Sequence, residues 1–207
     1  MTGKYPALAG IHAVKNEADG HVWTIGEILR ELDNVRSLLR EKGLEPASIG
    51  SVVFNPRLTR SCGRTRRKNG VYSMDFSVAY FQHAAPDSIR NTIAHETIHT
   101  VPGCFNHGKK FQQVARMLDA DGYDVSTRDY DEAYTAYREQ KREAKPVFYI
   151  FCPNCGKKMD KYVRLSPTLK AIIQDKQERF YCPACMSSGL QVIKRMPDGT
   201  ETALKSV

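Results

Sequence analysis

Two short cysteine pairs constrain this chain more than any other feature: Cys152-Pro153-Asn154-Cys155 and Cys182-Pro183-Ala184-Cys185, separated by 26 residues. Each C-P-x-C is a tight knuckle that presents two thiolates, and two knuckles complete a tetrahedral four-sulfur site. Strand-like runs precede both, Tyr149-Ile150-Phe151 and Phe180-Tyr181, which is the order of a zinc ribbon. Cys152, Cys155, Cys182 and Cys185 are therefore expected to hold one structural Zn2+. A redox C-x-x-C pair would not explain two matched pairs. A segment of about 60 residues buries too small a core to hold itself, so the metal should contribute folding energy directly. Lys145-Pro146 breaks the preceding pattern, and residues 147–207 are read as the ribbon and its tail.

With 207 residues in all, the chain has room for one main domain ahead of that ribbon. Residues 1–20 read as an N-terminal lead, loose or forming a short edge element, and 21–146 as the main domain. A content of 41% hydrophobic and 26% charged residues excludes a disordered or collagen-like chain. No run approaches the ~18 apolar residues of a membrane span, so no membrane partner is expected. No basic patch leads into an apolar run, as a secretory signal would require. The six cysteines then point to metal binding in a reducing compartment, and the expected location is intracellular: cytoplasmic, including the nucleoid.

Helices and strands alternate irregularly through the main domain, giving an α+β class. Thr24 and Glu27 form a T-x-x-E capping box before an amphipathic run through Leu39, closed by Gly43. Ile49–Phe54 is a strand stopped by Asn55-Pro56. Val71–Met74 and Phe76–Phe81 read as short strands, or one strand and a turn. A helix from Ile89 to about Thr100 starts at Pro86-Asp87-Ser88, with Asp87 or Ser88 as cap. Further helices fit Lys109–Asp119 and Tyr130–Ala144.

Within the Ile89 helix lies His95-Glu96-Thr97-Ile98-His99. Residues four apart on a helix stand one above the other, so both imidazoles can reach one ion, with Glu96 as general base: the zincin arrangement. A catalytic Zn2+ takes three protein ligands and keeps one position open. His107, beyond the Val101-Pro102-Gly103 turn, is the favoured third ligand; Glu132, Glu139 and Cys104 are the alternatives. Pro102 and Phe105 stand where a metzincin would carry its glycine and third histidine, which excludes that class. Tyr72, Tyr80 and Tyr123 are candidate donors to a developing oxyanion. His12, His21 and His83 read as ordinary histidines, and Cys62 as a small buried hydrophobe.

The net charge is +8, and it is uneven. Residues 147–207 carry 10 basic and 5 acidic groups, and the stretch from Ser51 to Met74 carries Arg57, Arg60, Arg64, Arg66, Arg67 and Lys68 with no acid. Such a block is either a solvated face or the footprint of a polyanion, usually nucleic acid.

Phe54-Asn55-Pro56-Arg57-Leu58, Gly63-Arg64, the His95–His99 motif, and His107-Gly108 with Phe111 together resemble the SprT-like metalloproteases, whose eukaryotic member is Spartan. The four-cysteine segment is similar to the C-terminal ribbon of bacterial SprT proteins. The resemblance implies a compact SprT-type zincin domain in which His95, His99 and His107 hold zinc and Glu96 is the catalytic base. It also implies an endopeptidase stimulated by DNA, with proteins crosslinked to DNA as substrates. The alternatives are a nucleic-acid-binding or regulatory zinc module with little proteolysis, and a general intracellular metallopeptidase indifferent to DNA.

Overall fold

The computed structural model describes residues 10–125, 131–174 and 180–204. In chain order the elements are β1 (Ala13–Lys15), β2 (Val22–Thr24), α1 (Ile25–Glu41), β3 (Ile49–Asn55), β4 (Gly63–Lys68), β5 (Val71–Ser77), α2 (Val78–His83), α3 (Pro86–Ile98), α4 (Lys109–Asp119), α5 (Glu132–Glu143), β6 (Val147–Phe151), β7 (Lys158–Tyr162), α6 (Pro167–Ile173), β8 (Gln191–Arg195) and β9 (Glu201–Leu204). The chain divides into two compact units, Met1–Tyr137 and Arg138–Val207. The division falls within α5, ahead of the Val147 boundary read from the sequence. Tyr134 and Tyr137 explain it: Tyr134 packs edge-on to Tyr80, and Tyr137 stacks on His83 at 3.7 Å.

In the first unit, β3, β5 and β4 form a three-stranded sheet in that order, with β3 parallel and β4 antiparallel to the central β5. The β4–β5 turn is Asn69-Gly70, both residues at positive φ (51° and 79°). That is the signature of a two-residue hairpin turn whose twist matches its strands. Strand alternation gives β4 two unlike faces. Gly63, Thr65 and Arg67 lie opposite Phe76, Met74 and Tyr72, whereas Arg64 lies opposite Asp75.

The segment after the hairpin is one strand followed by a helix, not the two strands or the strand and turn that the β-rich run Phe76–Phe81 suggests. Ser77 makes the switch. Its hydroxyl accepts from the Tyr80 amide and donates to the Leu58 carbonyl at 2.7 Å, so an N-cap overrides local β-propensity. Residues of the expected N-terminal lead form the short edge element β1. The buried Asn16 holds them by donating to the Phe81 and Ala84 carbonyls at 2.9 and 2.8 Å.

The capping box on α1 forms as expected, Thr24 accepting from Glu27 and Glu27 returning to the Thr24 amide. α3 is capped differently. Its N-cap is Ala85, with Pro86 in the first turn and no side-chain cap of its own. The Ala85 amide instead donates to the buried Asp131 carboxylate at 2.9 Å, whose other oxygen accepts from Tyr134 N–H at 2.8 Å. One carboxylate thus serves the starts of α3 and α5. Every residue of α3 from Thr92 to Ile98 is buried, because the helix lies between two apolar clusters. One is built on the sheet and α1, the other on α4 and the end of α1. The threonines bury their hydroxyls by bonding back to the preceding turn, Thr97 to Ile93 O and Thr92 to Ser88 O. Of the expected fourth helix, Tyr130 lies outside the described residues.

The second unit is a four-stranded antiparallel sheet in the order β7-β6-β8-β9, with α6 packed on β8. Its core comprises Phe148, Ile150, Leu169, Ile172, Leu190 and Val192 beside Cys152 and Cys182.

Asp131→Ala should lower unfolding stability by about 1–3 kcal/mol, because it orphans one buried amide and uncaps another helix. Urea denaturation of the full chain would measure this. A loss within ±0.5 kcal/mol would show the double cap to be dispensable.

Candidate metal centre

α3 places His95 and His99 one turn apart, and its C-terminus turns back through Val101-Pro102-Gly103. Gly103 takes φ +85°, a left-handed value that costs glycine least. Cys104 N–H closes the turn on the Val101 carbonyl at 2.9 Å. The chain then delivers His107 to the same point from the opposite side, just before α4. The three Nε2 atoms form a triangle with sides of 2.9, 3.2 and 3.2 Å. Two nitrogens about 2.0–2.1 Å from a tetrahedral zinc stand about 3.3 Å apart, so the triangle fits one such ion. It does not fit a hydrogen-bonded trio, since each neutral imidazole supplies one N–H.

The tautomers support this. His99 Nδ1–H donates to the Cys104 carbonyl at 2.8 Å, which leaves Nε2 as a lone pair facing the centre. Burial holds the His99 pKa below its usual value, although the Cys104 carbonyl works the other way. Cys104, the alternative sulfur ligand, therefore contributes its backbone oxygen. Its thiol is buried and pushed up in pKa by that burial. Glu132 and Glu139 do not join the cluster; the ligating group that assembles is His95, His99 and His107. Phe111 of α4 supports all three rings, its centroid 4.9, 4.8 and 4.8 Å from theirs.

Glu96 is 5% exposed and lies against β4. Thr65 Oγ1 donates to Glu96 Oε2 at 2.6 Å and sits 3.1 Å from the Glu96 carbonyl oxygen. A Cβ on Gly63 would fall 2.6 Å from Glu96 Cγ and 2.7 Å from Oε1, so the strand can approach only as glycine. Thr65 was not singled out by the sequence. The signal was there in the small residues alternating with arginines through Gly63-Arg64-Thr65-Arg66.

Of the candidate oxyanion donors, Tyr80 is bonded to Thr92 in the core. Tyr123 donates to Glu31 at 2.7 Å and is pushed up to about 12, first by burial and then by that carboxylate. The Tyr72 ring is 6.3 Å from that of Phe105, which is in turn 6.4 Å from His99.

The basic block separates into two groups. Arg64 donates to Asp75 Oδ2 at 2.8 Å, Arg66 pairs with the same oxygen, and Asn55 adds a third bond at 3.0 Å. Burial raises the Asp75 pKa, but these donors outweigh it and hold the carboxyl below its usual value. The acid missing from the block is the next residue after it. Among the described residues, no carboxylate pairs with Arg57, Arg60, Arg67 or Lys68.

In the second unit the four cysteine sulfurs lie within 4.8 Å of one another, with Cys152–Cys185 at 3.6 Å and Cys155–Cys182 at 3.5 Å. A disulfide would need about 2.05 Å, whereas sulfurs about 2.3 Å from a tetrahedral zinc stand about 3.8 Å apart. The two knuckles share one turn: Gly156 N–H to Cys152 O at 2.9 Å, and Met186 N–H to Cys182 O at 2.8 Å. Asn154 reaches across to Cys185 Sγ at 3.5 Å.

Two histidines from one helix, a third returned by a glycine turn, and a carboxylate clamped between helix and sheet define a metallopeptidase-type domain. The SprT-like family model matches residues 38–130, a stretch that contains β3–β5, all three histidines of the cluster and Glu96, so this part of the chain is similar to the SprT-like family. Comparison with curated proteins gives no match.

Chelating the metal should unfold the ribbon, whose few buried side chains cannot offset its chain entropy alone. Hydrogen exchange should show protection lost in β6 and β8. Unchanged protection in those strands would show the four cysteines to be dispensable for the fold.

Proposed function

We propose that this chain is a zinc-dependent endopeptidase that cuts proteins held on DNA, including proteins crosslinked to it. The observation that carries the peptidase part is the placement of Glu96. A purely structural histidine site has no use for a carboxylate next in sequence to one of its histidines and held by Thr65 and by the bare backbone of Gly63.

His95, His99 and His107 would hold the catalytic zinc, and Cys152, Cys155, Cys182 and Cys185 the structural one. Zinc in the histidine site supplies Lewis-acid activation of water and of the scissile carbonyl. Glu96 takes up the proton of the attacking water and delivers it to the leaving amine nitrogen. Thr65 fixes the carboxylate's orientation through both steps, so the base need not reorganise between them.

The DNA part is supported by the cations of the basic block without a carboxylate partner, Arg57, Arg60, Arg67 and Lys68, and by the excess positive charge of residues 147–207. Arg64 and Arg66, drawn to Asp75 but half exposed, add a charge that is partly compensated. Positive charge of this kind concentrates the enzyme on a polyanion and restricts cleavage to proteins nearby. No described helix is long and apolar enough to cross a membrane, and an intracellular, cytoplasmic location suits a DNA-directed enzyme.

Incubating the zinc-loaded chain with a basic DNA-binding protein, with and without single-stranded or duplex DNA, tests this directly. Fragments should appear only with DNA and vanish with Glu96→Gln, which should lose at least 100-fold in rate while keeping both zinc ions. Cleavage indifferent to DNA would reduce the protein to a general metallopeptidase. DNA binding without cleavage in either form would make it a binding module.

Gly63→Ala should displace the Glu96 carboxylate and cost at least tenfold in kcat, with zinc stoichiometry unchanged. A wild-type kcat would show that the close approach of β4 does not hold the base.

A further inference from the structure

The second unit carries a cavity of about 450 Å3 between β7, α6 and the second cysteine knuckle. Its floor is apolar: Ile150 of β6, Met159 of β7, Ile172 of α6 and Leu190 just ahead of β8. The volume falls in the ~300–1,000 Å3 range of cavities that bury a ligand. β7 is shaped to open it. Ile150 pairs with Met159 and Tyr149 with Lys161, so Asp160 is an extra residue with no partner on β6. It takes φ +30°, a left-handed value that a residue with a Cβ holds only under strain. In a regular strand Met159 and Tyr162 would point to opposite faces; the bulge puts both on the cavity, and Asp160 with them. Strain of this kind collects at ligand sites.

Two opposite charges stand on the lip. Lys157 and Asp160 both line the cavity and are exposed, yet among the described residues neither forms an ion pair, with the other or with any third group. The neighbouring Lys158, by contrast, is held by Glu201 at 2.7 Å. The Asp160 carboxylate accepts a long bond from the Tyr162 hydroxyl, at 3.5 Å. Tyr181 on the wall is 53% exposed, and Val163 and Leu165, which follow β7, are exposed as well.

We infer that this cavity is a docking site for an uncharged, extended segment of a partner protein, which inserts one large apolar side chain. The floor takes the side chain. Asp160 accepts from a backbone N–H on one side of that anchor, and Lys157 donates to a carbonyl on the other. Peptide groups offer one donor and one acceptor each and no net charge, which matches a lip of one anion and one cation. Nucleic acid is the poorer match: the aliphatic floor stacks no base, and Asp160 repels a phosphate. The bulge also interrupts the free edge of β7, which disfavours a partner strand added along it, so the anchor side chain carries the recognition. The site shares no residue with the histidine centre and goes beyond the proposed function. It lets the chain hold a protein without DNA and raises that protein's local concentration.

The test is methyl and amide NMR of the zinc-loaded full chain. The probes are N-acetyl-leucinamide, N-acetyl-tryptophanamide and N-acetyl-glycinamide, each a capped residue with a peptide group on either side. The leucine and tryptophan probes should shift the Ile150, Met159 and Ile172 methyls saturably, and the glycine probe should not. Asp160→Gly removes the carboxylate while relieving the backbone, so the ribbon stays folded; it should weaken probe binding about threefold or more. Asp160→Asn keeps an acceptor on the same bulge and should bind within about twofold of wild type. No saturable shift at these methyls, or equal shifts with the glycine probe, overturns the docking site. So does wild-type affinity in Asp160→Gly, or an equal loss in Asp160→Asn, which would assign the effect to charge or bulge rather than to an accepted N–H. A thymidylate oligonucleotide that displaces the leucine probe from these methyls assigns the cavity to nucleic acid and overturns it too.

Discussion

Three imidazole nitrogens held about 3 Å apart make a demand that much of the first unit exists to meet. Lone pairs aimed at a common point repel one another and have lost their water, so without a cation the arrangement is costly. Two come from one helix by simple periodicity. The third must arrive from outside that helix, which requires the chain to reverse within a few residues. Gly103 allows the reversal, and the Cys104 carbonyl that emerges from it fixes the tautomer of His99. Phe111 then locks all three rings from behind with one aromatic surface. Packing, turn geometry and protonation are settled by the same ten or so residues.

A helix placed this way has no solvent face to spare. Between Thr92 and Ile98 the side chains point toward the sheet on one side and α4 on the other. The polar ones survive burial because each has a specific partner: threonines on their own helix, Glu96 on Thr65, His99 on Cys104. This consistency between local bonding and global burial favours one well-defined packing over many similar ones. It also explains why the helix lacks the simple apolar stripe of α1, whose periodicity reads at once from its leucines.

Features with a short-range cause were legible in the sequence. The capping box at Thr24 and Glu27, the spacing of His95 and His99, and the paired cysteine knuckles each involve residues within five positions of one another, where geometry leaves little choice. His107 was within reach because a proline-glycine turn sits between it and the helix. What stayed hidden depends on partners far along the chain. Asp131 caps α3 from 46 residues away, and composition made Asp87 or Ser88 the natural candidates. Phe76–Phe81 has the residues of a strand, yet Ser77 bonded to Leu58 bends it into a helix. The arginines of the basic block looked uniform, and only strand register shows that Arg64 meets Asp75 while Arg67 faces the other way.

The two cysteine knuckles share a turn but not a residue at its tightest point. Gly156 takes φ +72° and Met186 takes φ +54° in the equivalent place. A left-handed backbone costs a residue with a Cβ roughly 1–2 kcal/mol more than glycine, and Met186 is also 71% exposed, so packing returns little of that. The ribbon is therefore lopsided as a clasp. Its first half is relaxed in the shape that grips the metal, and its second half is held there against its own preference. Were a metal held by the four cysteines, Cys182 and Cys185 should be the pair a competing chelator strips first.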